Sequence, residues 1–298
     1  MLTLFVKATV LILILVTLLW IWSVFIKNVS IVDIFWGFGF VVVNTLYYFE
    51  SSSMNTRKLI LLVLVFLWGM RLTLYLAWRN IGKSEDFRYQ EFRKTFGPKR
   101  YWWFSYFQTF LLQGGLILII SLPLLAVNTN SESSHLNLLD YLAIIIWGIG
   151  FVFEAGGDYQ LARFKGNPNN KGKVLNTGFW KYTRHPNYFG DSAVWCAYAL
   201  FCIASGSYWQ IIGSILMILL IIKEINMLRR PFNENFKLTQ GFGGNEGTYA
   251  IFGMKGHNGL DYALPQGTEL ISPINGRVTE IANDTKGYGQ YVKIENDT

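Results

Sequence analysis

The sequence predicts an all-α polytopic membrane bundle of about seven transmembrane helices, followed by a small, incomplete antiparallel β segment. Of the 298 residues, 52% are hydrophobic and only 15% are charged, and the mean hydropathy is +0.29. A typical soluble domain is about 25% charged, so a soluble enzyme is excluded. Residues 1–230 hold all 11 tryptophans and 21 of the 26 lysines and arginines. This break in composition predicts two domains, 1–230 and 231–298.

The predicted helices are seven apolar runs in the first domain. About 18 to 25 apolar residues are long enough to cross the roughly 30 Å hydrocarbon core of a bilayer as a helix. The first run resembles a signal peptide, but it lacks a cleavage pattern of small residues, so we expect it to be retained. The runs cover residues 3–25, 30–49, 59–78, 105–127, 137–157, 188–205 and 208–227.

The charged loops between these runs predict the topology. Seven lysines and arginines lie from Arg79 to Arg100 and six from Arg163 to Arg184, whereas residues 128–136 contain none. Because positive loops stay in the cytoplasm, we expect a bacterial inner-membrane protein whose C-terminal segment is cytoplasmic. Because these cations lie between membrane-spanning runs, they indicate how the chain is oriented in the membrane, and nucleic acid is not an expected partner. The expected partners are membrane lipids and a lipophilic small molecule.

Ionisable residues within the runs indicate where function lies, because charge in the bilayer core is expensive. Arg71 lies in the third run. Glu154 and Asp158 are four positions apart in the fifth run and share one helix face. Either these carboxylates pair with arginines to hold the bundle together, or they line a polar pocket open to the cytoplasm.

The loop from Gln160 to Asp191 is rich in cations and aromatic residues and contains the run TRHPNYFG at 183–190. Arginines bind phosphates through paired hydrogen bonds and aromatic rings stack on flat ligands, so the loop suits an anionic ligand. Anionic lipid headgroups would be attracted by the same charges.

At this loop the sequence resembles a membrane family of uncharacterised proteins related to steroid 5-alpha-reductase. The resemblance rests on DYQL at 158–161 with RFK at 163–165, followed by TRHPNYFG. Further matches occur in family order, at Val32-Asp33, Trp68-Gly69, the group from Glu85 to Tyr89, and the run from Phe110 to Gly114.

The resemblance implies a bundle that binds NADPH between its helices and cytoplasmic loops. Asp191 departs from the family, which usually has Glu there. Isoprenylcysteine carboxyl methyltransferases share a similar RHPxYxG element but bind S-adenosylmethionine, so the motif leaves both cofactors open. The cofactor contacts implied by matching motifs are Asp158, Arg163, Arg184, His185, Asn187 and Tyr188.

The leading functional hypothesis is an NADPH-dependent reductase acting on an activated double bond of a steroid-like or other lipophilic substrate. Such a reaction needs an acid that stabilises the developing enolate. Tyr75 is the candidate, because it lies one helical turn from both Arg71 and Arg79. The alternatives are an S-adenosylmethionine-dependent methyltransferase, a membrane-anchored zinc peptidase acting on peptidoglycan, and a non-catalytic membrane protein.

The segment from Leu238 resembles the start of the lysostaphin-type zinc endopeptidase domain, a mostly antiparallel β fold that cuts peptidoglycan. The resemblance rests on an HxxxD motif within a series of glycine turns. It implies that His257 and Asp261 are zinc ligands. The family takes its third ligand from a later HxH element, which does not occur before Thr298. We therefore expect a truncated or artificially fused reading frame.

The ligand count predicts that this segment has no peptidase activity and binds zinc poorly, because catalytic zinc needs three protein ligands. The segment is assayed on pentaglycine and cross-linked murein peptides with added zinc, and the bound metal is measured. One equivalent of metal together with measurable cleavage would contradict the prediction.

Overall fold

A computed structural model describes residues 1–130, 135–170, 174–225, 238–240, 261–265, 268, 270, 272, 277–284 and 289–295. The chain divides into two compact units, Met1–Lys223 and Glu224–Thr298. The first unit is helical. The second contains short antiparallel strands.

Ten α-helices form the described part of the first unit and the start of the second. A π-helical stretch, Tyr106–Leu111, joins two of them, and π-helical turns are frequent at functional sites. The helices are α1 Leu2–Ile26, α2 Ile31–Phe49, α3 Thr56–Asn80, α4 Phe87–Phe96, α5 Pro98–Ser105, α6 Leu112–Ile120, α7 Leu122–Thr129, α8 Leu138–Lys165, α9 Pro186–Ala204 and α10 Ile212–Ile225.

The two helices that matter most for the site begin at clear sequence signals. Asn137 caps α8, since its side chain accepts hydrogen bonds from the backbone of Leu139 and Asp140, and Asp140 accepts one in return from Asn137. This reciprocal pattern is a capping box. Helix α9 starts at Pro186, and a proline is favoured at the first helical position because it needs no hydrogen-bond acceptor there.

Among the described residues, five helices are long and apolar enough to cross a membrane, which corrects the predicted count of seven. They are Leu2–Ile26, Ile31–Phe49, Thr56–Asn80, Lys99–Ile120 and Leu138–Lys165. The sixth predicted run corresponds to α9, which contains the polar residues Asn187 and Asp191 in its first two turns. The seventh corresponds to the short apolar helix Trp209–Lys223. An integral membrane protein is therefore supported, with fewer full-length spans.

Two buried ion pairs show that α3 and α8 run in the same direction. Near the start of both helices, Arg57 donates two hydrogen bonds to Asp140, at 2.6 and 2.7 Å. Near the end of both, Arg71 donates to Asp158 at 2.6 Å. The described residues that follow the two helices, 81–86 in one case and 166–170 with 174–185 in the other, therefore lie at the same end of the bundle, as the charge pattern predicts.

A close helix contact joins α8 and α9 and depends on glycine. A Cβ atom on Gly150 would lie 2.7 Å from the carbonyl oxygen of Gly190 and 2.9 Å from the backbone nitrogen of Val194. One on Gly157 would lie 3.1 Å from the backbone nitrogen of Asn187. Small residues at such positions let helix backbones approach closely inside a membrane.

The described residues of the second unit form two two-stranded antiparallel sheets. Strand β1 (Leu238–Gln240) pairs with β2 (Asp261–Tyr262), and β3 (Arg277–Asp284) pairs with β4 (Gly289–Glu295). In the longer pair, Ile281 lies opposite Val292. The expectation of a small antiparallel β segment is confirmed for these described strands, while the boundary between the predicted domains stays a prediction.

We predict that Gly150→Ala destabilises the protein by about 1–3 kcal/mol, because the added methyl group overlaps the backbone of α9. Gly148→Ala is the matched control on the same helix, since its added Cβ would meet no atom within 4 Å. Thermal unfolding in detergent measures both. Equal effects of the two substitutions would show that the contact between α8 and α9 does not depend on Gly150.

Candidate functional site

The candidate site lies at the end of the bundle where α3 and α8 end and α9 begins. Its centre is the guanidinium group of Arg71, which forms ion pairs with Glu154 and with Asp158. Glu154 is 3% exposed and Asp158 is 7% exposed. The predicted shared face of the two carboxylates therefore points into the bundle, towards α3.

Each of these two carboxylates accepts a second hydrogen bond from a neutral donor. The indole nitrogen of Trp68 donates to Glu154 at 3.0 Å, and the side-chain amide of Asn187 donates to Asp158 at 3.2 Å. Asn187 reaches Asp158 because it lies in the first turn of α9, opposite Gly157. Two of the predicted cofactor contacts, Asp158 and Asn187, are thus in direct contact.

Asp191, one turn further along α9, completes a group of three carboxylates around one arginine. Its carboxyl group interacts electrostatically with Glu154 and lies close to the indole groups of Trp68 and Trp195. Its Oδ1 atom is buried and has no hydrogen-bond partner among the described residues. The sequence marked Asp191 only as a departure from the family's usual glutamate.

The start of α9 carries three more of the predicted contacts. The rings of His185 and Tyr188 stack with centroids 5.2 Å apart and planes 13° apart. Partial burial, with the adjacent charge of Arg184, lowers the pKa of His185, so this imidazole is neutral at pH 7. Arg184 itself is exposed to the loop side of the bundle.

Tyr75, the predicted acid, is half-buried on α3 one turn after Arg71. Its ring lies 5.8 Å from the guanidinium carbon of Arg79, and its hydroxyl interacts electrostatically with Asp158. The structure thus places Tyr75 at the same end of the bundle as the carboxylates. Its role as an acid stays a prediction.

Arg163 lies on a different face of α8 from Asp158. Five positions separate them, which is about 140° around a helix of 3.6 residues per turn. Arg163 lines a cavity of about 660 Å³ between the end of α8 and the loop before α9. Gln160 closes one side of this cavity by accepting a hydrogen bond from the backbone of Phe179 at 3.0 Å. Its role as a cofactor contact stays a prediction.

A second polar cluster at the same end of the bundle was not identified as a site from the sequence. The hydroxyl of Tyr89 donates to Asp33 at 2.7 Å, and Arg88 donates to the other carboxylate oxygen at 2.9 Å. Burial and the negative charge of Asp33 raise the pKa of Tyr89. The sequence feature that could have revealed this cluster is the family match at Asp33 and at Arg88-Tyr89. These residues are distant in sequence but meet in the fold.

The predicted zinc ligands are described only in part. Asp261 begins β2, whereas His257 lies outside the described residues. Within the described ranges, no group of three His, Cys, Asp or Glu side chains could hold a metal ion. The zinc assignment therefore stays a prediction.

We predict that Arg71→Gln destabilises the protein by about 3–5 kcal/mol, because it leaves buried carboxylates without a cation. The control is Lys7→Gln, which removes an exposed ion pair with Glu50 and should change stability by about 1 kcal/mol or less. The free energy of unfolding in detergent is measured for both variants. If adding Glu154→Gln to Arg71→Gln restored no stability, uncompensated charge would not be the cause.

Comparison with known proteins places the chain in a family without assigning an activity. Residues 19–237 match a family described as a protein of unknown function, DUF1295. "Uncharacterized protein C594.04c" of Schizosaccharomyces pombe is 27% identical over 228 residues, which cover 68% of this chain. The aligned part spans 66% of that relative, slightly less than two thirds of its length. No solved structure shows significant similarity to the chain.

The family match covers most of the first unit and extends across all the residues of the candidate site. It includes Asp33 and Tyr89 as well as the segment from Glu154 to Asp191. The resemblance predicted from the motifs of residues 1–230 is confirmed at the level of the family. The chain is thus a member of the DUF1295 family, which is related to steroid 5-alpha-reductase-like membrane proteins.

Proposed function

We propose that this protein is an integral membrane oxidoreductase that uses NADPH to reduce an activated double bond of a lipophilic substrate. The observation that carries the proposal is the hydrogen bond between Asp158 and Asn187, beside the stacked rings of His185 and Tyr188. Hydride transfer is the chemistry that NADPH supplies when bound.

The residues at the start of α9 fit the parts of a dinucleotide. A carboxylate such as Asp158 accepts hydrogen bonds from ribose hydroxyls, as acidic residues do in other dinucleotide sites. The Oδ1 atom of Asn187 is buried and lacks a partner among the described residues, so it can accept another hydrogen bond. Arg184 supplies charge and a planar fork for phosphate, and the ring of His185 offers a stacking surface.

The lipophilic nature of the substrate is supported by the surface of α3 around Tyr75. Leu74 and Trp78 are 63% and 70% exposed, on a helix long enough to cross the membrane. The ring of Trp78 lies 6.1 Å from that of Tyr75. An apolar molecule arriving from the bilayer would therefore meet Tyr75 beside Asp158, where the phenol could donate a hydrogen bond to a carbonyl oxygen.

We predict that Arg184→Lys weakens NADPH binding about ten-fold or more, since one charge-assisted hydrogen bond contributes roughly 1.5–3 kcal/mol. Lysine keeps the charge but cannot form the paired contact. The matched control is Arg100→Lys, which changes an exposed arginine of α5 in the other cationic segment and should leave NADPH binding as in the unmutated protein.

The measurement is a titration of the full chain in detergent with NADPH and, separately, with S-adenosylmethionine. Equal NADPH affinities of the Arg184→Lys variant and the unmutated protein would remove Arg184 from the cofactor site. Saturable binding of S-adenosylmethionine without binding of NADPH would replace the reductase with the methyltransferase, since the TRHPNYFG run occurs in a similar form in both classes.

A further inference from the structure

The buried cluster around Arg71 contains more negative than positive groups. Arg71 of α3 faces Glu154 and Asp158 of α8, and Asp191 of α9 interacts electrostatically with Glu154. Helix α9 packs closely on Glu154 here, since a Cβ atom on Gly190 would lie 2.7 Å from the Cβ atom of Glu154. Tyr198 of α9 also faces this pair, and its hydroxyl is within 3.2 Å of the indole nitrogen of Trp147. On the α2 side the neighbouring group is the apolar ring of Phe40, centred 5.0 Å from the ring of Trp195.

Hydrogen-bond donors are unequally divided among the three carboxyl groups. Asp158 receives bonds from Arg71 and Asn187, while Glu154 receives the indole N–H of Trp68 and pairs with Arg71. Oδ1 of Asp191 has no partner among the described residues. The indole nitrogen of Trp195, a fully buried residue, lies close to this carboxyl group but outside the geometry of a regular hydrogen bond.

An excess of buried negative charge is unfavourable, and two adjacent carboxyl groups avoid it by sharing one proton. Arg71 can balance only one of the three carboxylates. Asp158 has two hydrogen-bond donors and also interacts electrostatically with Arg79, so it is the best stabilised of the three as an anion. The proton that reduces the excess negative charge is therefore expected on the other two carboxyl groups, those of Glu154 and Asp191.

We propose that Glu154 and Asp191 share a single proton in the resting protein and so form a carboxylic acid–carboxylate pair inside the bundle. The proton of such a pair is bound and released by the two groups together and cannot be assigned to one residue. Because the pair adjoins Asp158, its O–H bond can break to give a proton to a substrate that gains negative charge, and water then restores the proton. That use rests on the proposed function, whereas the protonation does not.

Infrared spectroscopy of the full chain in detergent at neutral pH tests the proposal, because a carboxylic acid has a carbonyl band distinct from that of a carboxylate. The intensity of this band should fall by the amount of one carboxylic acid per chain in Asp191→Asn and also in Glu154→Gln. In either variant the carboxyl group that is left has no partner to share a proton with, and it ionises. The control is Glu91→Gln, whose carboxylate is 61% exposed and paired with Lys94, and this variant should keep the full band.

Absence of the band in the unmutated protein would overturn the proposal, even if the variants failed to fold. A band that kept its full intensity in both Asp191→Asn and Glu154→Gln would also overturn it. The spectrum is recorded without NADPH or substrate, so loss of the reductase hypothesis through failed NADPH binding would leave this result unaffected.

Discussion

The close contact between α8 and α9 is the constraint on which the candidate site depends. Gly150, Gly157 and Gly190 leave no space for side chains between the two backbones. In a membrane, where lipid tails are as apolar as the helices, such packing is a main source of helix association. The same contact brings Asp158 within hydrogen-bonding distance of Asn187 and places Asp191 beside Glu154. The contact that packs α9 on α8 therefore also brings the residues of the site together.

The pairing of α3 with α8 is set by charge at both ends. Arg57 and Asp140 are 2% and 0% exposed, and each would be very unfavourable without the other. Arg71 meets Asp158 towards the opposite end. Two ion pairs at the two ends of parallel helices fix both their direction and their register, which fixes where the loops after them lie.

Much of the bundle was predictable from the sequence, because apolar length and loop charge are properties of the local chain. The shared face of Glu154 and Asp158 follows from a four-residue spacing in the same way. The meeting of Asp33 with Tyr89, and of Asp191 with Glu154, depends on which helix faces pack together, and no local pattern contains that information. For Arg163 the local pattern is sufficient, since helical periodicity alone places it on a different face of α8 from Asp158.

The arrangement of charge also limits how the proposed cofactor could bind. Phosphates would be repelled by the buried carboxyl groups of Glu154, Asp158 and Asp191, whose negative charge exceeds the positive charge of their ion-pair partner Arg71. They are attracted by the cationic loops at the same end of the bundle, which include Arg184. A dinucleotide would therefore fit the charges of both regions in one orientation. Its phosphates would lie over the cationic loops, and an uncharged, hydrogen-bonding part would point towards Asp158. In that orientation the uncharged part of the proposed cofactor would lie near Asp158 and Tyr75, on the side of the bundle from which an apolar substrate would arrive.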